Sequence, residues 1–168
     1  MFDFVVAVND ERTLESNFAR SPILRDAATR VHLQRGYRCA AAAYNAGLDA
    51  ATNEFVVFVH QDVYLPSAWQ QAITTAIEQA SSRDSAWAVL GLFGATADGQ
   101  HVGHVWSTGL NKLLGQQFLQ PIAVHSIDEL LIVVRRSSKV RFDEELPGFH
   151  LYGTDIVQTA LSSNRSAY

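Results

Sequence analysis

The chain has 168 residues, of which 48% are apolar, and its 13 basic and 17 acidic residues leave a net charge of −4. This size and composition fit one globular domain with its own core and exclude a disordered chain. No basic run is present to bind nucleic acid, and no apolar run approaches the roughly 20 residues of a transmembrane segment. With no visible signal peptide and a single cysteine, Cys39, we expect a soluble, cytoplasmic domain.

Short apolar segments predict strands that are buried on both faces, because most of them are rich in β-branched and aromatic residues and do not alternate with polar ones. In chain order the predicted elements are a strand over 2–8, a helix capped by Asp10 that runs through Leu14 and Phe18, a weaker strand over 30–33, a helix over 37–51, a strand over 54–59, a helix from 67 to about 80, strands over 87–93 and 130–134, and a helix over 155–162. This alternation predicts an α/β fold with a largely parallel sheet.

Residues 94–121 interrupt the alternation. They contain five glycines and little periodicity, which predicts a long excursion that carries a short hairpin or loop. His101 and His104 lie there and are interpreted as solvated loop residues. All three tryptophans are predicted in the core, with stacking on a sugar as the alternative for Trp106.

A carboxylate follows the strand over 54–59, which ends in His60-Gln61-Asp62. Ligands of open α/β sheets bind beyond the carboxyl ends of the strands. A carboxylate in that position can hold a divalent cation, which in turn holds a diphosphate. The residues alone leave a simpler alternative open, in which Asp62 begins a turn and Pro66 begins a helix.

Two motifs resemble those of the family-2-like glycosyltransferases with the GT-A fold. HQDV at 60–63 stands in place of the Asp-x-Asp motif, and FHLYGTD at 149–155 resembles a downstream Phe-His-x-Tyr-x-x-Asp segment. The helix before HQDV has the family's spacing of small residues around Asn45 and Gly47. The resemblance runs from the first strand to Asp155. It implies one glycosyltransferase-like domain over 1–168, with a mostly parallel central sheet flanked by helices and a short antiparallel hairpin.

The resemblance also implies roles for the matched residues. Asp62 and His150 would bind Mg²⁺ or Mn²⁺ that bridges the donor diphosphate, and Asp155 would be the general base. The donor-binding residues that it implies are Val8, Asn9, Glu11, Asn45, His60 and Gln61. The sheet topology is expected to bring His150 and Asp155 beside Asp62.

The sequence departs from the family pattern at three positions. Gln34-Arg35-Gly36 lacks the usual aspartate after the second strand, Tyr44 stands where many relatives have arginine, and His60 replaces the first acid of Asp-x-Asp. The chain is also shorter than most relatives, which leaves open an incomplete C-terminal acceptor side.

The function expected is therefore a metal-dependent inverting glycosyltransferase. It would move a sugar from a nucleotide-diphosphate donor to a carbohydrate or lipid-linked hydroxyl acceptor. The alternative is a degenerate or truncated GT-A module that binds a nucleotide sugar or a protein partner without catalysis. A nucleotidyltransferase is disfavoured, because its first loop would be rich in glycine and lysine, and residues 9–12 read Asn-Asp-Glu-Arg.

Overall fold

Two β-sheets and four α-helices make up the computed structural model, which describes residues 1–168. The strands are β1 (Phe2–Val8), β2 (Arg30–Arg35), β3 (Phe55–Val59), β4 (Val89–Gly91), β5 (Phe93–Ala95), β6 (His101–Ser107), β7 (Lys112–Gln116), β8 (Ser126–Ile127) and β9 (Leu131–Arg135). The helices are α1 (Glu11–Ser16), α2 (Ala40–Ala50), α3 (Trp69–Arg83) and α4 (Tyr152–Ser162). None of these helices combines the length and apolar character needed to cross a membrane.

The first sheet has five strands in the order β2-β1-β3-β9-β4. β1 pairs in parallel with β2 and β3, whereas β9 is antiparallel to both of its neighbours. Alternate residues of one strand enter opposite cores: Val5 packs with α2 and α4, and Phe4 packs with α3. Helices thus cover both faces, which explains the uninterrupted apolar segments and confirms the predicted α/β fold with its mostly parallel sheet.

The second sheet has four antiparallel strands in the order β7-β6-β5-β8. Its β6–β7 hairpin lies within the predicted excursion, so the predicted hairpin is confirmed, but the sequence did not reveal the four-stranded sheet to which the hairpin belongs. The strand predicted over 87–93 is divided into β4 and β5, which belong to different sheets. Two strands of the second sheet, β5 and β8, are only three and two residues long, which is too short to produce a periodic pattern in the sequence.

Several element boundaries differ from the predictions. The helix capped by Asp10 ends at Ser16, and Phe18 lies in a separate 3₁₀ turn. α4 begins at Tyr152, three residues before the predicted start. Trp69 and Trp87 are buried, whereas Trp106 is 59% exposed, so the prediction that it lies in the core is wrong. Trp106 lies on β6, beyond the part of that strand that pairs with β5.

A close approach of α2 to β1 positions the helix on the sheet. A Cβ atom added to Gly47 would lie 2.3 Å from Cγ1 of Val5, which is fully buried. Valine is β-branched and has little rotamer freedom, so it cannot turn away. Glycine is therefore required at position 47 by packing, and this requirement explains the small-residue spacing that the sequence shows in this helix.

We expect Gly47→Ala to lower the free energy of unfolding by about 1–3 kcal/mol, the usual cost of overpacking a core. The loss is expected although alanine favours a helix over glycine by about 1 kcal/mol. Urea unfolding followed by circular dichroism measures the change. The matched control is Gly109→Ala, where no heavy atom lies within 4 Å of the added Cβ. Equal stability of the two variants would contradict the close packing of α2 on β1.

Candidate active site

A cleft of about 610 Å³ opens where β1, β2 and β3 end. All three strands are parallel, so the loops that follow them meet at one edge of the sheet. The segment before α4 closes the cleft from the other side. The residues that line it are Ala7, Val8, Asn9, Thr13, Gln34, Gly36, Tyr37, Tyr44, His60, Gln61, Asp62, Phe149, His150 and Tyr152. Six residues predicted for the site therefore line one cleft, and they come from three separate segments of the chain.

Asp62 presents a carboxylate to this cleft. Its side chain is 62% exposed, and its Oδ1 lies 4.0 Å from Nδ1 of His60. The backbone of His60 is held in place by a hydrogen bond from its amide to the carbonyl oxygen of Leu130, at 3.1 Å. His150 lines the same cleft and is exposed. The topology thus brings His150 and Asp62 to one cleft although 88 positions separate them in the sequence.

The hydroxyl of Tyr152 connects the segments that form the cleft. It lies 2.5 Å from Nε2 of His60, 3.4 Å from the Tyr44 hydroxyl and 3.3 Å from the carbonyl oxygen of Glu129. The Tyr152 hydroxyl has one proton: either it donates to the carbonyl oxygen of Glu129 and accepts from the Nε2–H of His60, or it donates to Nε2 of His60. Both arrangements fix the His60 ring, with Nδ1 4.0 Å from Oδ1 of Asp62.

Burial keeps both tyrosines of this network protonated. It raises the pKa of Tyr152 far above its ordinary value and raises that of Tyr44 to about 12. Tyr44, which the sequence showed as a departure from the family pattern, packs its ring against Phe58 and Tyr152 at centroid distances of 5.0 and 5.2 Å. The neutral hydroxyl of Tyr152, on a packed aromatic base, holds His60 without adding charge to the cleft. Sequence reasoning gave neither tyrosine a role, although Tyr152 lies inside the FHLYGTD motif.

Gln61 and Asn9 hold the loop after β1 against the loop after β3. The Oε1 atom of Gln61 accepts from the amides of Asn9 and Asp10, at 3.1 and 3.2 Å, and its Nε2 donates to Oδ1 of Asn9. These contacts shape the cleft wall and use most of the hydrogen-bonding capacity of the Gln61 side chain. The donor-binding role predicted for Asn9 and Gln61 stays a prediction, as does that of Val8 beside them.

Three predicted site residues do not line the cleft. Glu11 forms a two-pronged ion pair with Arg35, at 2.6 and 3.0 Å, on the outer surface. Asn45 is buried and exchanges hydrogen bonds with the backbone of Phe142, at 2.9 and 3.1 Å. Asp155 lies in the first turn of α4, and its Oδ2 accepts from the backbone amide of Asp143 at 3.0 Å. Asn45 and Asp155 thus both hold the segment before α4 in place.

The donor groups in the cleft suit a cation that is shared with a diphosphate. No group of three or more histidine, cysteine, aspartate or glutamate side chains is placed to hold a metal ion. Mg²⁺ is often held by one or two carboxylates, with substrate phosphates and water completing the shell. Asp62 offers one such carboxylate, a ligand type that suits both Mg²⁺ and Mn²⁺, and the imidazoles of His60 and His150 line the same cleft. The residues present therefore fit Mg²⁺ or Mn²⁺ together with a diphosphate, and not a cation held by the protein alone.

No protein-family model matches the chain. A curated protein of Fuscovulum blasticum, named "ATP synthase subunits region ORF 6", is 29% identical over 130 residues. The match covers 72% of this chain and 50% of that protein. The chain thus spans about half the length of this curated relative, whose name states no activity.

Solved structures share the fold across 99% of the chain. S. aureus TarS superposes with a TM-score of 0.59 at 15% identity, over 57% of the TarS chain. The same protein in complex with UDP-GlcNAc gives 0.57 at 14% identity, over 55% of its chain. The fold is GT-A-like. A197 from STIV gives 0.50 at 12% identity, over 81% of that chain. The TM-scores establish an architecture shared with these proteins and confirm the GT-A-like fold that the motifs predicted.

We expect Tyr152→Phe to release the ring of His60, because phenylalanine keeps the packing and removes the hydroxyl that holds Nε2. The ¹⁵N chemical shifts of the His60 ring should move toward those of a tautomer mixture in water. Leaving buried polar groups unpaired should also lower the free energy of unfolding by about 1–3 kcal/mol. Tyr44→Phe is the control, because it removes a hydroxyl of the same network that does not contact His60. Unchanged His60 shifts in Tyr152→Phe would contradict this positioning role.

Proposed function

We propose that this chain is a glycosyltransferase domain that binds a nucleotide-diphosphate sugar in the cleft, together with Mg²⁺ or Mn²⁺. The sugar would pass with inversion to a hydroxyl group of a carbohydrate or lipid-linked acceptor. One observation carries the proposal: His60, Asp62 and His150 meet in a single cleft at the carboxyl ends of parallel strands in a GT-A-like fold. The UDP-GlcNAc bound to TarS supports a nucleotide sugar as the ligand class.

The chemistry of the cleft residues fits this ligand. When bound, the cation supplies positive charge that stabilises the diphosphate as it leaves. Asp62 and His150 would hold the cation, with the diphosphate and water completing its shell, and Tyr152 positions His60 beside Asp62. Tyr37 and Phe149 line the cleft with partly exposed aromatic rings, on which a nucleobase can stack.

Asp155 is proposed as the general base that takes the proton of the acceptor hydroxyl. It lies three residues after Tyr152 on α4, and residues with this spacing are neighbours on one face of a helix. Its carboxylate lies in the first turn of α4, at the positive end of the helix dipole.

A second candidate is a module that binds the nucleotide sugar without turnover. It is favoured by the position of Asp155, which lies outside the cleft lining and accepts from the backbone of Asp143. A screen of nucleotide sugars with Mn²⁺ separates the two, with UDP-GlcNAc among the donors and with release of the nucleoside diphosphate as the readout. Release supports the enzyme, whereas metal-dependent binding of a donor without release supports the binding module.

Asp62→Asn should weaken the binding of UDP about 10- to 100-fold in the presence of Mn²⁺, because a neutral amide is a poorer cation ligand than a carboxylate. Isothermal titration calorimetry with UDP, with and without Mn²⁺, measures the effect. The matched control is Asp26→Asn, because Asp26 is an exposed aspartate that does not line the cleft. Equal affinity of wild type and Asp62→Asn under both conditions would exclude Asp62 from the metal site.

Asp155→Asn should lower the rate of sugar transfer about 10²- to 10⁴-fold, the range of general base catalysis, and leave the affinity for UDP nearly unchanged. Asparagine keeps an oxygen that can accept from the amide of Asp143, so the fold should persist. Initial rates at saturating donor, together with calorimetry, separate the two effects. A variant that retains its rate would assign Asp155 a purely structural role.

A further inference from the structure

The hairpin of β6 and β7 projects from the second sheet. β5 pairs with β6 only as far as Gly103, whereas β6 and β7 continue to pair as far as Ser107 and Lys112. The outer half of the hairpin is therefore a two-stranded ribbon without a third strand. Such ribbons are marginally stable in water by themselves, so an uncovered one calls for an explanation.

Large apolar side chains are exposed at the tip of this ribbon. Trp106 and Leu113 lie opposite each other in the strand register, which puts both on one face, and they are 59% and 50% exposed. Leu110, in the turn between the strands, is 61% exposed. We call these three residues the hairpin tip. Contiguous exposed apolar residues of this kind mark an interaction surface.

The charge around the hairpin tip differs from that of the rest of the chain. Residues 99–127 contain no acidic residue and one basic residue, Lys112, which lies beside the tip. The remaining residues carry all 17 acidic groups and 12 basic ones. This segment carries a charge of +1 and the rest of the chain −5, so it is the part of the protein that a negatively charged surface attracts rather than repels.

The apolar surface continues at the base of the hairpin. A cavity of about 300 Å³ lies there between α3 and the second sheet, and no aspartate, glutamate, lysine or arginine lines it. Trp69 belongs to its wall and is 8% exposed, and its indole Nε1–H is buried without a hydrogen-bond partner. A cavity with a mostly apolar lining and no carboxylate, ammonium or guanidinium group suits a hydrocarbon chain.

We propose that the hairpin tip docks this protein on an anionic lipid bilayer, with Trp106, Leu110 and Leu113 inserted at the interface and Lys112 among the headgroups. Tryptophan is enriched at the level of lipid headgroups, and basic residues near the surface add attraction to anionic lipids. The ribbon then has its apolar face covered by lipid. This proposal stands independently of the sugar-transfer activity.

The chain provides its own probe for the experiment. Trp69 and Trp87 are buried, so Trp106 is the exposed tryptophan of the three. On addition of vesicles made of equal parts phosphatidylcholine and phosphatidylglycerol, the tryptophan emission should shift to shorter wavelength, and the protein should sediment with the vesicles. Trp106→Phe should abolish most of the shift and still sediment, because phenylalanine also inserts. Vesicles of phosphatidylcholine alone should bind more weakly.

Leu110→Asp should reduce vesicle binding about 10- to 100-fold, since it removes a leucine that would insert into the bilayer and adds a negative charge. Leu110 lies in the turn, so the strand pairs remain. Leu151→Asp is the matched control, because Leu151 is 65% exposed and lies in another region. Absence of any emission shift or sedimentation with anionic vesicles overturns the proposal. A dimer in sedimentation velocity that Leu110→Asp dissociates, with no vesicle binding, overturns it in favour of a second copy of the chain.

Discussion

The candidate site depends on one buried hydroxyl. Tyr152 contacts His60 after β3, Tyr44 on α2 and the carbonyl of Glu129 before β9, while its own backbone begins α4. Each contact joins segments that are far apart in the sequence. Because Tyr152 is 1% exposed, the loss of any of these partners would leave a buried polar group unpaired, which makes the positions of these segments mutually dependent.

The parallel sheet provides the frame around this hydroxyl. β1, β2 and β3 run in one direction, so the polar residues that follow them gather at one edge, and helices on both faces leave that edge open. The packing of α2 through Gly47 brings Tyr44 beneath the cleft. The second sheet contributes nothing to the cleft lining. Its projecting hairpin and its apolar cavity form a separate surface with a different charge, so the molecule has a polar cleft and an apolar surface built on different sheets.

Sequence reasoning located residues at the cleft where they directly follow a strand, and their binding roles stay predictions. His60, Gln61 and Asp62 come after an apolar segment whose end could be read from the sequence, and the structure places them in the cleft. It was less informative for residues on helices. Asn45 and Asp155 match family positions, but their side chains hold the segment before α4, because orientation around a helix depends on the packing of that helix. The network of Tyr152 joins residues 92 and 108 positions apart, and no local pattern reports such contacts.

The sequence by itself determined the α/β class, the core strands and the position of Asp62 after β3, because apolar periodicity and strand ends are local properties of the chain. It also determined that residues 99–127 lack acidic groups. Only the tertiary structure decided that the strand predicted over 87–93 divides between two sheets, that Trp106 faces solvent, and that His150 meets Asp62 in one cleft. These features arise from contacts between distant segments. Their free energy depends on which surfaces meet in the folded chain, and a local sequence pattern does not report that.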